Sequence, residues 1–142
     1  MSPLDLDLLA ERTTAVERHL TRVAERLPAD ASALRPSSDA SDAVILHLWQ
    51  ATQIVSDMAI GACLRFALGT PSDYGDAFRR LHGAGILDEA LAARLVRAAG
   101  FRNLVAHMYD TLDMARVHRT AQTGPADLRA FLAALSDALA AR

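Results

Sequence analysis

The chain has 142 residues, a length that one hydrophobic core can serve, so residues 1–142 are expected to form a single domain. Its composition is 51% hydrophobic, 23% charged and only 5% aromatic, rich in Ala and Leu, which suits a helix bundle better than a β-sandwich. A net charge of −2 excludes a global basic field of the kind that holds DNA non-specifically, and the single cysteine, Cys63, excludes an intramolecular disulfide.

The first predicted helix spans Leu4 to Leu27, with Leu4, Leu8, Ala15, Leu20, Val23 and Leu27 near a 3.6-residue spacing. The opening stretch MSPLDLDLLAERT is acidic and lacks a basic segment followed by a continuous apolar one, so it does not read as a signal peptide. No apolar run approaches ~18 residues without a polar break, so no membrane span is expected. A cytoplasmic protein fits both observations. Pro28 to Ser38 carries two prolines and three serines and reads as a loop.

Ser38 or Asp39 is expected to cap a long second helix that runs to about Leu68. This helix is apolar around most of its circumference, so it must be covered on more than one side, by its own bundle or by a second subunit. Gly69 is placed to end it. Thr70-Pro71 is placed to start a short third helix over Ser72–His82, which Gly83-Ala84-Gly85 stops. Asp88 opens a fourth helix to about Tyr109, with Leu91, Leu95, Ala98, Ala99, Leu104 and Val105 as its core face. Gly100 inside it costs ~1 kcal/mol relative to Ala, unless something approaches the backbone there. The last helical segment runs from Asp113 onwards, with a stripe of Leu128, Phe131, Leu132, Leu135 and Leu139; Thr123-Gly124-Pro125 is expected to break or kink it. No stretch alternates with period two. The predicted fold is therefore all-α, an up-down bundle of about five helices.

The fourth helix carries FRNLVAHMYD, Phe101 to Asp110, where pure packing would call for Leu and Ala. Asn103 and His107 are four apart and share a face; Arg102 and Tyr109 are seven apart and lie nearly in line, about 100° round. Arg102 and His107 diverge by ~140° at the backbone. They converge only through the length of the Arg side chain, a distortion near Gly100, or a two-fold axis that brings the Arg of one copy to the His of another. His exchanges a proton near neutral pH, and Arg stabilises the extra charge of a pentacoordinate phosphate. With Asn103 to orient the ring or hold a phosphate oxygen, this is a minimal kit for cleaving RNA without metal, because the ribose 2′-OH is the nucleophile. On residue types alone, a surface Arg and a core His remain the ordinary alternative. The second helix adds Gln53 and Asp57, four apart on one face of an apolar helix. A carboxylate there is costly unless paired, and Arg102 or His107 is the obvious partner. The remaining histidines, His19, His47, His82 and His118, make no Glu-x-x-His pair, so no metal or other cofactor is expected. His47, three before Gln50, is a candidate to extend the polar stripe, and His82 to cap the third helix.

RNLVAHMY, Arg102 to Tyr109, resembles the R-x4-H-x-Y motif of HepT-type toxins in the HEPN superfamily. The likeness extends to QIVSDMA (Gln53–Ala59), LGTPSDYGDAF (Leu68–Phe78) and GILDEALAARL (Gly85–Leu95), covering roughly Ala43 to Leu135. The resemblance implies a HEPN-like homodimer with motif helices lining a shared cleft. It implies a toxin that is a metal-independent endoribonuclease, with Arg102 and His107 catalytic and Asn103, Asp57 and Gln53 supporting. It further implies an MNT-type nucleotidyltransferase antitoxin as partner, transferring AMP to Tyr109, where the bulky anion would occupy the phosphate clamp and repel RNA. The alternative is a non-catalytic HEPN dimer that binds a nucleotide or a nucleotidyltransferase partner. A local groove of Arg102 with Arg97, Arg94 or Arg65 is the way an acidic chain could attract a single strand, although Arg94 and Arg97 also read as a solvated face.

Overall fold

In a computed structural model that describes residues 4–141, the chain is all-helical. Five α-helices follow in order: α1 Leu6–Arg26, α2 Asp39–Arg65, α3 Tyr74–Gly83, α4 Glu89–Met108 and α5 Met114–Ala140. Short 3-10 turns at Ala31–Ala33 and Tyr109–Thr111 join α1 to α2 and α4 to α5. Each α-helix starts on a side-chain cap. Asp5, Asp73, Asp88 and Asp113 accept from backbone N–H groups of the first turn, and Ser38 forms a reciprocal capping box with Ser41.

α2 packs against all four other helices, which is why it is apolar nearly all round. The bundle does not cover it completely: Leu46 and Leu64 remain 49% and 53% exposed. The main core joins Leu20, Val55, Leu81, Leu95 and Leu135 around an edge-on pair, Phe78 and Phe131, with ring centroids 5.7 Å apart. A second core holds Val44, Ile45 and Leu48 of α2 against Phe101 and Val105 of α4 and Val117 of α5. That second core fixes the end of α4 on which the polar motif sits.

Three boundaries shift by two residues or more from the sequence reading. α1 starts at Leu6 rather than Leu4, because Asp5 caps it, and its buried stripe is Leu9, Val16, Leu20 and Val23. α2 ends at Arg65, not about Leu68. Ala67 turns into the left-handed region (φ 57°), and the Leu68 N–H donates back to the Cys63 carbonyl at 2.8 Å. Gly69 instead serves the loop. Its φ is +87°, and a Cβ there would lie 2.8 Å from Nη1 of Arg80, which donates to the Leu68 carbonyl. Pro71 does not open α3. Asp73 caps it and Asp76 accepts the Ser72 N–H, so the helix begins at Tyr74.

Pro125 does not break α5, which runs unbroken from Met114 to Ala140. A proline removes one backbone donor, and here the turns on both sides are held by burial, Val117 and Ala121 before it and Leu128 and Phe131 after it. On α4, Phe101 is buried while Leu104 is only half-buried, and a Cβ added at Gly100 would meet nothing within 4 Å, so no close approach explains that glycine.

Candidate functional site

Burial of Phe101 and Val105 sets the roll of α4. Arg102 is thereby turned to α2, and Asn103 and His107 to the outside. The Arg102 guanidinium lies near two aromatic rings, 5.5 Å from the Trp49 centroid and 5.4 Å from that of Tyr74. Its Nε donates to Oε1 of Gln53 at 2.6 Å, and its Nη1 to Oδ1 of Asn103 at 2.8 Å. Gln53 Nε2 donates both to Oδ1 of Asp57, at 3.0 Å, and to the Tyr74 hydroxyl, at 2.9 Å. The Tyr74 hydroxyl in turn donates to the same Asp57 oxygen at 2.8 Å. Burial, and then the Asp57 carboxylate, push the Tyr74 phenol above its ordinary value, so it remains a donor.

Four of the five residues expected to be catalytic or supporting, Gln53, Asp57, Arg102 and Asn103, thus meet in one network. Asp57 is not paired directly with Arg102 or His107 as expected: Gln53 stands between carboxylate and guanidinium, and Tyr74 donates to the same carboxylate oxygen as Gln53. His107 stands apart. It is exposed on the last turn of α4 and has no hydrogen-bond or ion-pair partner among the described residues. Within one chain the imidazole and the guanidinium do not meet.

Tyr109 begins the 3-10 turn after α4, and its hydroxyl donates to Oδ1 of Asp42, in the first turn of α2, at 2.6 Å. Asp42, Trp49 and Gln53 are seven and four apart on α2, so Tyr109 and Arg102 address the same face of that helix. The hydrogen bond to Asp42, helped by partial burial, pushes the Tyr109 phenol up to about 12. The folded chain therefore favours the protonated phenol. The contribution of this contact to folding is complete below the ordinary value near 10 and is lost as pH rises through about 12. Asp42→Asn is expected to bring Tyr109 titration back toward 10, followed as phenolate absorbance with Tyr109→Phe as the blank. An unchanged midpoint would show that the carboxylate does not set it.

Arg102 and Asn103 line an open groove of about 1270 Å³ between α2, α3, α4 and the start of α1. Its apolar lining includes Ile54, Ile60, Leu64 and Val96, and three further arginines, Arg12, Arg65 and Arg79, stand on it together with Asp57 and Asp73. Arg94 is diverted from this groove by an ion pair with Asp127 on α5 at 2.8 Å. His47 does not extend the stripe; its Nδ1 meets Nδ1 of His19 on α1 at 3.0 Å. His82 bonds the Leu87 carbonyl across the α3–α4 turn. Among the described residues no group of three His, Cys, Asp or Glu could hold a metal, and no helix is long and apolar enough to cross a membrane. Trp49, Tyr74 and Asp42 were not singled out in the sequence, although Tyr74 lies inside the quoted segment Leu68–Phe78.

The family model described as "Ribonuclease HepT-like" matches residues 15–135. The mRNA nuclease HepT of Shewanella oneidensis is 24% identical over 126 residues, covering 89% of this chain and 94% of that protein. Among solved structures, the tri-AMPylated Shewanella oneidensis HEPN toxin in complex with MNT antitoxin superposes with a TM-score of 0.81 at 23% identity, over 90% of this chain and 96% of that one. A toxin–antitoxin structure with AMP-PNP gives a TM-score of 0.82 at 23% identity with the same coverage. At these identities the structural likeness establishes the fold.

Proposed function

This chain belongs to the HepT-like ribonuclease family, and on that footing we propose that it is the toxin of a toxin–antitoxin pair, a metal-independent endoribonuclease. The observation that carries the reading is the arginine: Arg102 lines the groove, is fixed by Gln53 and Asn103 beside two rings, and keeps its Nη2 without a hydrogen-bond partner among the described residues. A guanidinium so held meets a phosphate without first losing conformational freedom.

In the proposed reaction the ribose 2′-oxygen bonds to phosphorus as the P–O5′ bond breaks. The 2′-OH proton goes to a base and the departing 5′-oxygen takes one up. His107 serves as one proton carrier and Arg102 stabilises the charge on the phosphoryl oxygens. Since the two side chains of one copy diverge, the cleft is completed in a homodimer, the Arg102 of one protomer facing the partner's His107. Half-exposed Leu64 and Leu46, and the open space over Gly61 and Gly100, leave room on this side for a second copy to approach. The groove arginines beside apolar lining suit a single strand, whose phosphates and bases need both, and they reconcile an acidic chain with RNA.

The antitoxin is an MNT-type nucleotidyltransferase that transfers AMP to Tyr109, the phenolic oxygen bonding to the α-phosphorus of ATP as pyrophosphate leaves. The modified oxygen has no proton to give Asp42 and carries a phosphodiester anion beside that carboxylate. The tether is broken, and the AMP group is free to swing along α2 toward Arg102.

The dimer of purified chain, incubated with RNA in excess chelator, is expected to cleave it. Prior treatment with the nucleotidyltransferase and Mg-ATP, giving AMP on Tyr109 by mass spectrometry, is expected to suppress the cleavage. Cleavage that stops with chelator alone refutes the metal-free mechanism. One observation favours a second reading, a dimer that only binds a nucleotide or its partner: among the described residues no side chain of the same chain bonds His107. That reading predicts no cleavage under any condition, with partner affinity depending on Arg102.

A further inference from the structure

We propose that Tyr74 is the residue that aims Arg102, acting through Gln53 and Asp57 and, with Trp49, through its ring. The inference rests on Arg102 being the phosphate-binding arginine.

The chemistry of the four side chains leaves one arrangement. Arg102 offers only donors, and an ionised Asp57 only acceptors. Gln53, which touches both, must turn its carbonyl oxygen to Arg102 and its amide nitrogen to Asp57. A glutamine on an exposed helix face rotates freely, and Asp57, four residues on along the same helix, holds it by one contact. Tyr74 comes from a different helix and closes the set. Its hydroxyl accepts from the Gln53 amide and donates to Asp57, so that amide, carboxylate and phenol form a closed triangle. The same residue brings its ring to 5.4 Å from the guanidinium carbon, which also lies 5.5 Å from the Trp49 ring. Arg102 is thereby held beside two rings, and its Nε edge is fixed on Gln53. Nη2 is left without a hydrogen bond among the described residues, on a side chain that lines the groove. Tyr74 occupies this place because Asp73, not Pro71, starts α3. One residue of slip would carry its side chain ~100° away.

Tyr74→Phe keeps the ring and the packing and removes only the hydroxyl. In the intact dimer, losing the hydroxyl's two hydrogen bonds is expected to lower kcat for RNA cleavage about tenfold, with KM within about twofold and Tm down by no more than a few degrees. In an Arg102→Lys background, where no fork remains to be aimed, Tyr74→Phe is expected to change nothing further. Independently of activity, the Arg102 Nε–H signal in 15N NMR is expected to exchange with water several-fold faster in Tyr74→Phe. A Tyr74→Phe enzyme with wild-type kcat and an unaltered Arg102 signal overturns the proposal. So does an equal loss of activity in both backgrounds, which would mean a general structural role. Should the wild-type dimer cut no RNA, the nuclease reading fails, and the NMR comparison still decides whether Tyr74 holds Arg102.

Discussion

His107→Ala is expected to lower RNA cleavage by about 10²–10⁴, the range that removal of a positioned proton carrier produces. Stability should stay within about 0.5 kcal/mol of wild type, because the imidazole is exposed and bonds to nothing among the described residues. That separation makes it the cleaner of the two motif substitutions. Arg102→Ala is expected to cost about 10²–10³ in activity for the lost charge stabilisation, but it also empties the space beside Trp49 and Tyr74 and leaves the Gln53 carbonyl oxygen without its donor. A fall in Tm would therefore accompany it, and activity must be compared at a temperature where both proteins are folded. Cleavage assays on matched dimers, with circular dichroism melts alongside, check both statements. A His107→Ala protein that cuts RNA at the wild-type rate would remove the imidazole from the mechanism.

The helix starts were legible because they depend on short-range chemistry. Asp88, Asp113 and Ser38 cap α4, α5 and α2 at the positions their side chains indicate in the sequence. The same physics explains the failure at Pro71: proline tolerates a first helical position, but Asp73 supplies an acceptor for an orphan N–H, and the cap prevails. Pro125 misled for the opposite reason. One lost backbone bond is a local cost, whereas burial of Leu128, Phe131 and Leu135 is a property of the whole bundle. The site was half legible. Helical spacing put Asn103 with His107 and Gln53 with Asp57, since both pairs lie within one helix. It could not give the direction in which Arg102 leaves α4, which follows from Phe101 and Val105 sinking into a core built by α2 and α5. Nor could it join Tyr74 to Gln53, 21 positions away, or Tyr109 to Asp42, 67 positions away, because only tertiary packing brings them together.

Mixing two inactive variants tests where the cleft lies. Each Arg102→Ala protomer keeps His107, and each His107→Ala protomer keeps Arg102. If the cleft joins Arg102 of one protomer to the partner's His107, a mixed dimer contains one site with both groups intact and one with neither. Random exchange makes half the dimers mixed, so specific activity should return to about a quarter of wild type, from parents some 100-fold or more below it. If instead Arg102 reached its own His107, every site in the mixture would lack one group and nothing would return. The geometry within one chain favours recovery. Arg102 is tied to Gln53 and Asn103 and packs beside Trp49 and Tyr74, so it is not free to swing ~140° round α4 to its own imidazole. Unfolding and refolding the mixed chains together ensures exchange, and native mass spectrometry confirms that mixed dimers have formed. Confirmed mixed dimers without recovered cleavage would rule out the shared cleft.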